Sequence, residues 1–186
     1  MASTADFRNG TVLEIDGVLM SIVEFQHVKP GKGGAFVRTK LKNVLTGAVL
    51  ERTFRAGEKV NEIRLETRKM QYLYTDGALY YFMDNKTYEQ FPVSADVIGD
   101  QELYLKENIE VDGLFQDERL LLVELPFFIN LEVVETDPGL RGDTVSGATK
   151  PAKLESGATV NVPLFVNIGD KIKVDRRTNQ YLERAS

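Results

Sequence analysis

The sequence predicts an all-β fold in which three small barrels of about 60 residues each follow one another along the chain. Short runs of alternating apolar and polar residues are separated by tight-turn pairs, of which Asp16-Gly17 and Asp76-Gly77 are the clearest. A weak sequence similarity between residues 46–60 and residues 156–172 also favours repeated units. We therefore place the domains at residues 1–63, 64–126 and 127–186.

The first domain is predicted to be a meander of short strands. Strands are expected over residues 11–16, 18–28, 35–44 and 48–55. The pair Asp16-Gly17 supplies the positive φ angles that a two-residue hairpin turn requires. In the third of these strands, apolar or small residues alternate with a basic set that forms an exposed cationic face: Arg38, Lys40 and Lys42.

The second domain is predicted to have strands and one helical segment. Its strands are expected over residues 70–75, 78–84, 87–93, 109–111 and 119–125. Residues 94–108 are the best helix candidate, with Ser94 as N-cap and with Val97, Ile98 and Leu105 on an apolar side. Gly99 is expected to divide this segment into two short turns.

The third domain is predicted to contain strands over residues 127–135, 159–167, 171–175 and 180–184. Asp137-Pro138-Gly139 interrupts the pattern, and residues 140–150 are rich in Gly, Ser, Thr and Asp. We expect these residues to form a long exposed loop.

Composition excludes much enzyme chemistry. The chain has no cysteine and one histidine, His27, so disulfides, thiolate nucleophiles, cysteine zinc sites and paired-histidine metal sites are excluded. We predict no catalytic residue, no metal site and no cofactor. No stretch approaches the roughly 18 apolar residues of a membrane span, so a soluble cytoplasmic protein is expected.

Charge is unevenly distributed although the formal net charge is only −5. Residues 1–28 carry −3, residues 29–69 carry +7, residues 70–135 carry −11 and residues 136–186 carry +2. Such asymmetry favours a molecule that lies along a polyanion with its acidic part turned away. The alternative is that acidic residues simply keep a middle domain soluble.

A glycine-rich loop joins the two longest strands of the first domain. Lys32 lies at its centre, and the residues that support it are Lys29, Pro30, Gly31, Gly33 and Gly34. Three glycines make such a loop costly to order. One interpretation is a lysine presented at the tip of a projecting hairpin, and the other is an ordinary solvated turn. A phosphate-binding P-loop is excluded, because Gly33 and a strand follow the lysine.

The sequence resembles the bacterial elongation factor P family over essentially its whole length. The matching runs are GAFVRTKLKN (34–43), ERTFRAGEKV (51–60), QYLYTDG (71–77), TYEQF (87–91), ETDPGLRGDT (135–144) and KPAKLESGATVNVPLFVNIGDKIKVD (150–175). The resemblance implies an SH3-like first barrel, two OB-like barrels, and an elongated L-shape that mimics tRNA. A monomer is expected.

The resemblance also implies partners and sites. The chain would bind the ribosome beside the P-site tRNA and relieve stalling at consecutive prolines. Lys32 would point at the CCA end of that tRNA and would be a substrate for a lysine-modifying enzyme. Arg38, Lys40 and Lys42 would face RNA. A loop in the third domain would lie toward the anticodon side of the tRNA, and its residues are Arg141, Gly142, Asp143 and Thr144.

Two other functions are weighed against this one. A generic single-stranded nucleic-acid-binding protein is the main alternative, because OB barrels often bind strands on aromatic side chains. Most of the tyrosines, however, lie in the acidic middle segment, where phosphate is unfavourable. A small-molecule hydrolase lacks a nucleophile and base pair, since His27 is the only histidine.

Overall fold

The structure, a computed structural model, describes residues 2–139 and 147–186, and it confirms the predicted all-β fold. The strands in these residues are β1 (Ala2–Ser3), β2 (Val12–Ile15), β3 (Val18–Val28), β4 (Phe36–Asn43), β5 (Val49–Arg55), β6 (Lys59–Ile63), β7 (Glu66–Thr75), β8 (Leu79–Asp84), β9 (Gln90–Ser94), β10 (Glu110–Gln116), β11 (Arg119–Glu124), β12 (Phe128–Thr136), β13 (Thr149–Leu154), β14 (Thr159–Pro163), β15 (Lys171–Asp175) and β16 (Gln180–Arg184). They form three sheets.

The first sheet has the strand order β1-β6-β2-β3-β4-β5. Its alternating strands bury a compact core on one face, formed by Phe7, Leu13, Met20, Ile22, Val37, Leu41 and Phe54. Phe7 and Phe54 meet edge to face, with their ring centroids 5.4 Å apart. Asp16 and Gly17 both adopt positive φ, as the hairpin turn between β2 and β3 was predicted to require.

The second and third sheets each have five strands, in the orders β11-β10-β7-β8-β9 and β14-β13-β12-β15-β16. Residue contacts divide the chain into two compact units, one formed by residues up to 67 with residues 114–121, and the other by residues 68–113 with residues 122–186. The predicted boundaries at residues 63 and 126 and the L-shape stay predictions.

The predicted helical segment is shorter than residues 94–108. An α-helix, α1, spans Ala95–Ile98, and a 3₁₀ helix over Gly99–Tyr104 follows it. The division falls at Gly99, as predicted, and that residue has a φ of 58°. Ile98 and Leu105 are buried, whereas Val97 is exposed, so only part of the predicted apolar side faces the interior. Ser94 lies at the N-cap, but its side chain accepts no capping hydrogen bond from a backbone N–H.

Strand β13 was missed by the sequence analysis, which expected loop up to residue 150. Lys150 and Pro151 concealed its alternation, because a lysine is rarely buried and proline is rare within sheets. Lys150, Ala152 and Leu154 are nevertheless the buried positions of β13. Pairing with β12 ends at Ala152. Pro151 has no N–H to donate, and at this position no hydrogen bond to β12 is lost.

Among the described residues, no helix is long and apolar enough to cross a membrane.

Candidate functional site

The β3–β4 hairpin carries the loop that contains Lys32. Its two strands pair antiparallel up to Val28 and Phe36, with a register shift between Ile22 and Glu24. Residues 29–35 then form what we call the tip loop, in which positions 29–34 are all exposed. The structure thus brings together the predicted set of Lys29, Pro30, Gly31, Lys32, Gly33 and Gly34 in one loop at the end of a long hairpin.

Lys32 makes no hydrogen bond or ion pair within the described parts of the chain. Gly33 has a φ of 102°, which only glycine adopts readily. A Cβ atom built on Gly31 or Gly34 would meet nothing within 4 Å, so the backbone on both sides of the lysine is open. The side chain of Lys32 therefore contributes no packing to the fold.

The ends of β3 and β4 that carry the tip loop, called its stem below, are well anchored. Val37 is fully buried and lies opposite Phe54 of β5. The hydroxyl of Thr39 donates to the carbonyl of Arg52 at 2.6 Å, and the amide of Ala56 donates to the carbonyl of Ala35 at 3.0 Å. An unconstrained tip on an anchored stem is suited to presenting one side chain at a distance from the sheet.

His27 lies at the base of this loop, opposite Val37. It is exposed, and its ring meets that of Phe25 edge to face at 5.7 Å. The described residues contain no cluster of three or more histidine, cysteine, aspartate or glutamate side chains able to hold a metal ion.

The basic face of β4 is present as predicted. Arg38, Lys40 and Lys42 are exposed, while Val37, Thr39 and Leu41 between them are buried. The contact of these residues with RNA stays a prediction.

Acidic neighbours on the adjacent strands modify this face in a way that the sequence pattern did not indicate. Lys40 lies between Glu24 of β3 and Glu51 of β5, and its ammonium nitrogen is 3.9 Å from a carboxylate oxygen of Glu24. Arg38 instead lies between Gln26 and Thr53. Lys42 lies between Ser21 and Val49, so Arg38 and Lys42 have uncharged cross-strand neighbours and Lys40 does not.

The predicted third-domain loop of Arg141, Gly142, Asp143 and Thr144 lies outside the described residues. The segments before and after it are described. The hydroxyl of Thr136 donates to the carbonyl of Pro151 at 2.9 Å, and the buried ammonium of Lys150 donates to the carbonyl of Asp137. A Cβ atom on Gly139 would lie only 2.6 Å from the carbonyl oxygen of Leu164. Both stem segments are therefore tightly held.

Lys150 is a structural residue of this stem that the sequence analysis did not single out. Its signal was the alternation from Lys150 to Leu154, which places a lysine at an inward position of a strand. Because a buried ammonium needs hydrogen-bond acceptors, such a position indicates a backbone carbonyl or a carboxylate nearby.

Comparisons with known proteins cover the whole chain. Three family models match in succession, described as the elongation factor P KOW-like domain (residues 3–60), the elongation factor P OB domain (residues 65–123) and the elongation factor P C-terminal region (residues 123–184). Elongation factor P of Caldanaerobacter subterraneus is 55% identical over 184 residues, which is 99% of this chain and all of that protein. Elongation factor P of a Thermoanaerobacter species is 56% identical with the same coverage.

A solved structure shares part of the fold. A translation initiation factor of the eIF-5A family from Naegleria fowleri matches with a TM-score of 0.51 over 67% of this chain and 96% of that one, at 13% identity. This likeness concerns the arrangement of strands alone.

Proposed function

Because the chain belongs to the elongation factor P family of translation factors, we propose that it binds the ribosome beside the P-site tRNA and stimulates peptide-bond formation at stalling sequences, above all consecutive prolines. The observation that supports this most is Lys32, which stands exposed in the tip loop on an anchored stem. A side chain that contributes nothing to packing is free to act on a partner.

In this proposal the tip loop acts by positioning. Proline is a secondary amine with a fixed φ, so it is a poor nucleophile and prolyl chain ends adopt unproductive orientations. A factor that holds the CCA end of the P-site tRNA in an attack-ready pose lowers the entropic part of the barrier. Such a factor needs no acid, base or nucleophile of its own, and the ribosome supplies the reaction centre.

The glycines around Lys32 fit this role. Gly31, Gly33 and Gly34 add no side-chain bulk beside the lysine, so the tip can enter a narrow space between RNA chains. We propose that the basic residues of β4 face RNA behind the tip, and that Arg141, Gly142, Asp143 and Thr144 contact the tRNA backbone or sugars farther along. The activity would take place in the cytoplasm.

Lys32 is also the proposed target of a lysine-modifying enzyme. Its ammonium group is exposed and its loop has little bulk, so another enzyme can reach it. The intact mass of natively expressed protein, followed by peptide mapping, tests this point. Added mass confined to a peptide containing Lys32 is the expected result, and an unmodified Lys32 in active native protein would contradict it.

The decisive experiment compares in vitro translation of a reporter with a run of prolines against a proline-free reporter. Lys32→Ala should still bind ribosomes, should change the free energy of unfolding by no more than about 0.5 kcal/mol, and should lose most of its stimulation of the proline reporter. Lys32→Arg keeps the charge but not the lysine-specific chemistry, so it should behave like Lys32→Ala where modification matters.

Lys86→Ala is the matched control, since Lys86 is another exposed turn lysine and its removal changes the net charge equally. It should retain full stimulation. Full activity of Lys32→Ala on the proline reporter would refute the proposed mechanism.

A further inference from the structure

A ladder of alternating cations and aromatic rings lies at one end of the third sheet. The guanidinium of Arg177 is 4.2 Å from the ring centroid of Phe127 and 5.5 Å from that of Phe128. Arg176 flanks the first ring at 5.4 Å, and Lys173 flanks the second ring at 5.9 Å. These five residues, Phe127, Phe128, Lys173, Arg176 and Arg177, are called the ladder below.

The rings of the ladder are exposed to solvent. Phe127, just before β12, is 44% exposed, and Phe128, at an outward position of β12, is 49% exposed. Large exposed apolar side chains that cluster are characteristic of binding sites, whereas single ones are common on any surface. The exposed faces of these two neighbouring rings therefore indicate a binding surface.

The cations of the ladder are fixed before any partner arrives. Arg177 donates from Nε and Nη2 to the two carboxylate oxygens of Asp175 at 3.1 and 3.0 Å. Arg176 donates to the carbonyls of Leu125 and Pro126 and lies 3.6 Å from a carboxylate oxygen of Glu124. The guanidinium planes are thus held in place beside the rings, which lowers the entropic cost of binding.

The chemistry of the ladder suits flat aromatic groups more than it suits free phosphate. Each cation already has a carboxylate neighbour. Asp175 pairs with Arg177, Glu124 lies beside Arg176, and Glu183 pairs with Lys173 at 3.2 Å. Phosphate binding would have to compete with those carboxylates. Stacking on a ring or on a guanidinium plane does not compete with them, and every nucleic-acid base has a face that can stack.

The position of the ladder in the fold also favours nucleic-acid bases as its ligand. Arg176 and Arg177 begin the loop between β15 and β16, which are the fourth and fifth strands of a five-stranded OB-like barrel. The loop between these strands is one of the places where OB barrels bind oligonucleotides.

We infer that the ladder is a stacking site for unpaired RNA bases, in which one or two bases lie against Phe127 and Phe128 and the guanidinium of Arg177. None of these residues belongs to the tip loop, the basic face of β4 or the predicted third-domain loop. The inference rests on the proposed function only in taking RNA as the polymer that this factor meets, and its test uses no ribosome.

The test measures the affinity of the full-length chain for a fluorescent single-stranded RNA of about 12 nucleotides and for the same RNA as a duplex. Wild type should prefer the single strand. The double variant Phe127→Ala/Phe128→Ala should bind the single strand at least about fivefold more weakly, because stacking contributes roughly 1–3 kcal/mol per base. The salt dependence of binding should stay the same, because no cation is removed.

Phe165→Ala is the matched control. Phe165 is 55% exposed in the turn that follows β14, and the guanidinium of Arg184 lies 5.3 Å from its ring, but it is outside the ladder. It should leave the affinity unchanged. Equal losses in Phe165→Ala and in the double variant would overturn the inference, as would a wild-type chain that does not prefer single-stranded RNA, which is the outcome expected of a protein-binding surface.

Arg177→Lys provides an independent measurement should the double variant fold poorly. A lysine keeps the charge beside Asp175 but lacks the planar group that stacks. Its affinity for the single strand should fall by about two- to fivefold at an unchanged salt dependence. An affinity equal to that of wild type would count against the ladder. Because the assay contains no ribosome, its failure leaves the proline-reporter experiment to judge the proposed function separately.

Discussion

Gly139 is the glycine whose lack of a side chain has the clearest structural reason. A Cβ atom there would lie 2.6 Å from the carbonyl oxygen of Leu164, and backbone cannot move aside as the end of a flexible side chain can. The reason is space and not a left-handed backbone, since Gly139 does not have positive φ. The backbone shortly after β12 thus lies directly against the residue that follows β14.

We expect Gly139→Ala to destabilise the chain by about 1–3 kcal/mol, the usual range for overpacking. Urea unfolding measures the change in the free energy of unfolding. Gly31→Ala is the control, because its Cβ would meet nothing within 4 Å and its backbone needs no positive φ. That control should change stability by no more than about 0.5 kcal/mol. An equal loss in both variants would show that the close approach at Gly139 has no energetic importance.

At the scale of the element, β4 shows that a row of like charges on one strand does not make three equivalent cations. Lys40 shares its surroundings with Glu24 and Glu51, whereas Arg38 has uncharged cross-strand neighbours. An exposed ion pair contributes at most about 1 kcal/mol to stability, but it occupies the ammonium group that a phosphate would otherwise contact.

We expect Arg38→Ala to weaken association with tRNA or ribosomes more than Lys40→Ala does, and to reduce the salt dependence by about one unit of slope. Glu24→Gln should release Lys40 and strengthen binding. In that background Lys40→Ala should become as costly as Arg38→Ala, and the double-mutant cycle measures this coupling. Asp100→Asn serves as a control outside the basic face and should have little effect. Identical losses for Arg38→Ala and Lys40→Ala in the wild-type background would show that the carboxylates are irrelevant.

Elements also differ in how far the sequence could predict them. Alternation located β4 and its faces, and the pair Asp16-Gly17 located the β2–β3 turn, because both signals depend on neighbouring residues alone. Strand β13 escaped because its inward lysine is satisfied by the carbonyl of Asp137, 13 positions earlier in the chain. The ladder was not predicted either, because its rings and guanidinium groups are about 50 residues apart in the sequence and meet only in the folded chain.

At the scale of the whole molecule, aspartates that close turns link stability to pH. Amide donation from Asn167 and the guanidinium of Arg184 hold the pKa of Asp170 below its ordinary value. The guanidinium of Arg177 does the same for the pKa of Asp175, and amides of Leu79 and Ala78 for that of Asp76. A carboxyl whose folded pKa is depressed stabilises the fold above its unfolded pKa, and that contribution is lost as pH falls through the folded pKa.

The chain should therefore lose stability as the pH falls below about 4, with little change between pH 5 and 7 attributable to these groups. Urea unfolding at a series of pH values measures this. Asp170→Asn should be less stable than wild type at pH 7 and should lose less on acidification. Glu89→Gln, at an exposed position just before β9 with no ion pair to the described residues, should follow the wild-type curve. A wild-type curve that is flat from pH 5 down to pH 2 would contradict the role given to these turns.

The order of strands in the first sheet has a consequence for how the chain folds as it is synthesised. Strands β2 to β5 follow one another as hairpins, so each can pair as soon as the next leaves the ribosome. Strand β6 instead returns to lie between β1 and β2, where Val60 pairs with Ala2 and Ile63 pairs with Val12. Strand β1 therefore has no partner until residues 59 and 60 have emerged. Between the emergence of residue 43 and that of residue 59, the hairpin of Lys32 can form on a sheet that has not yet closed.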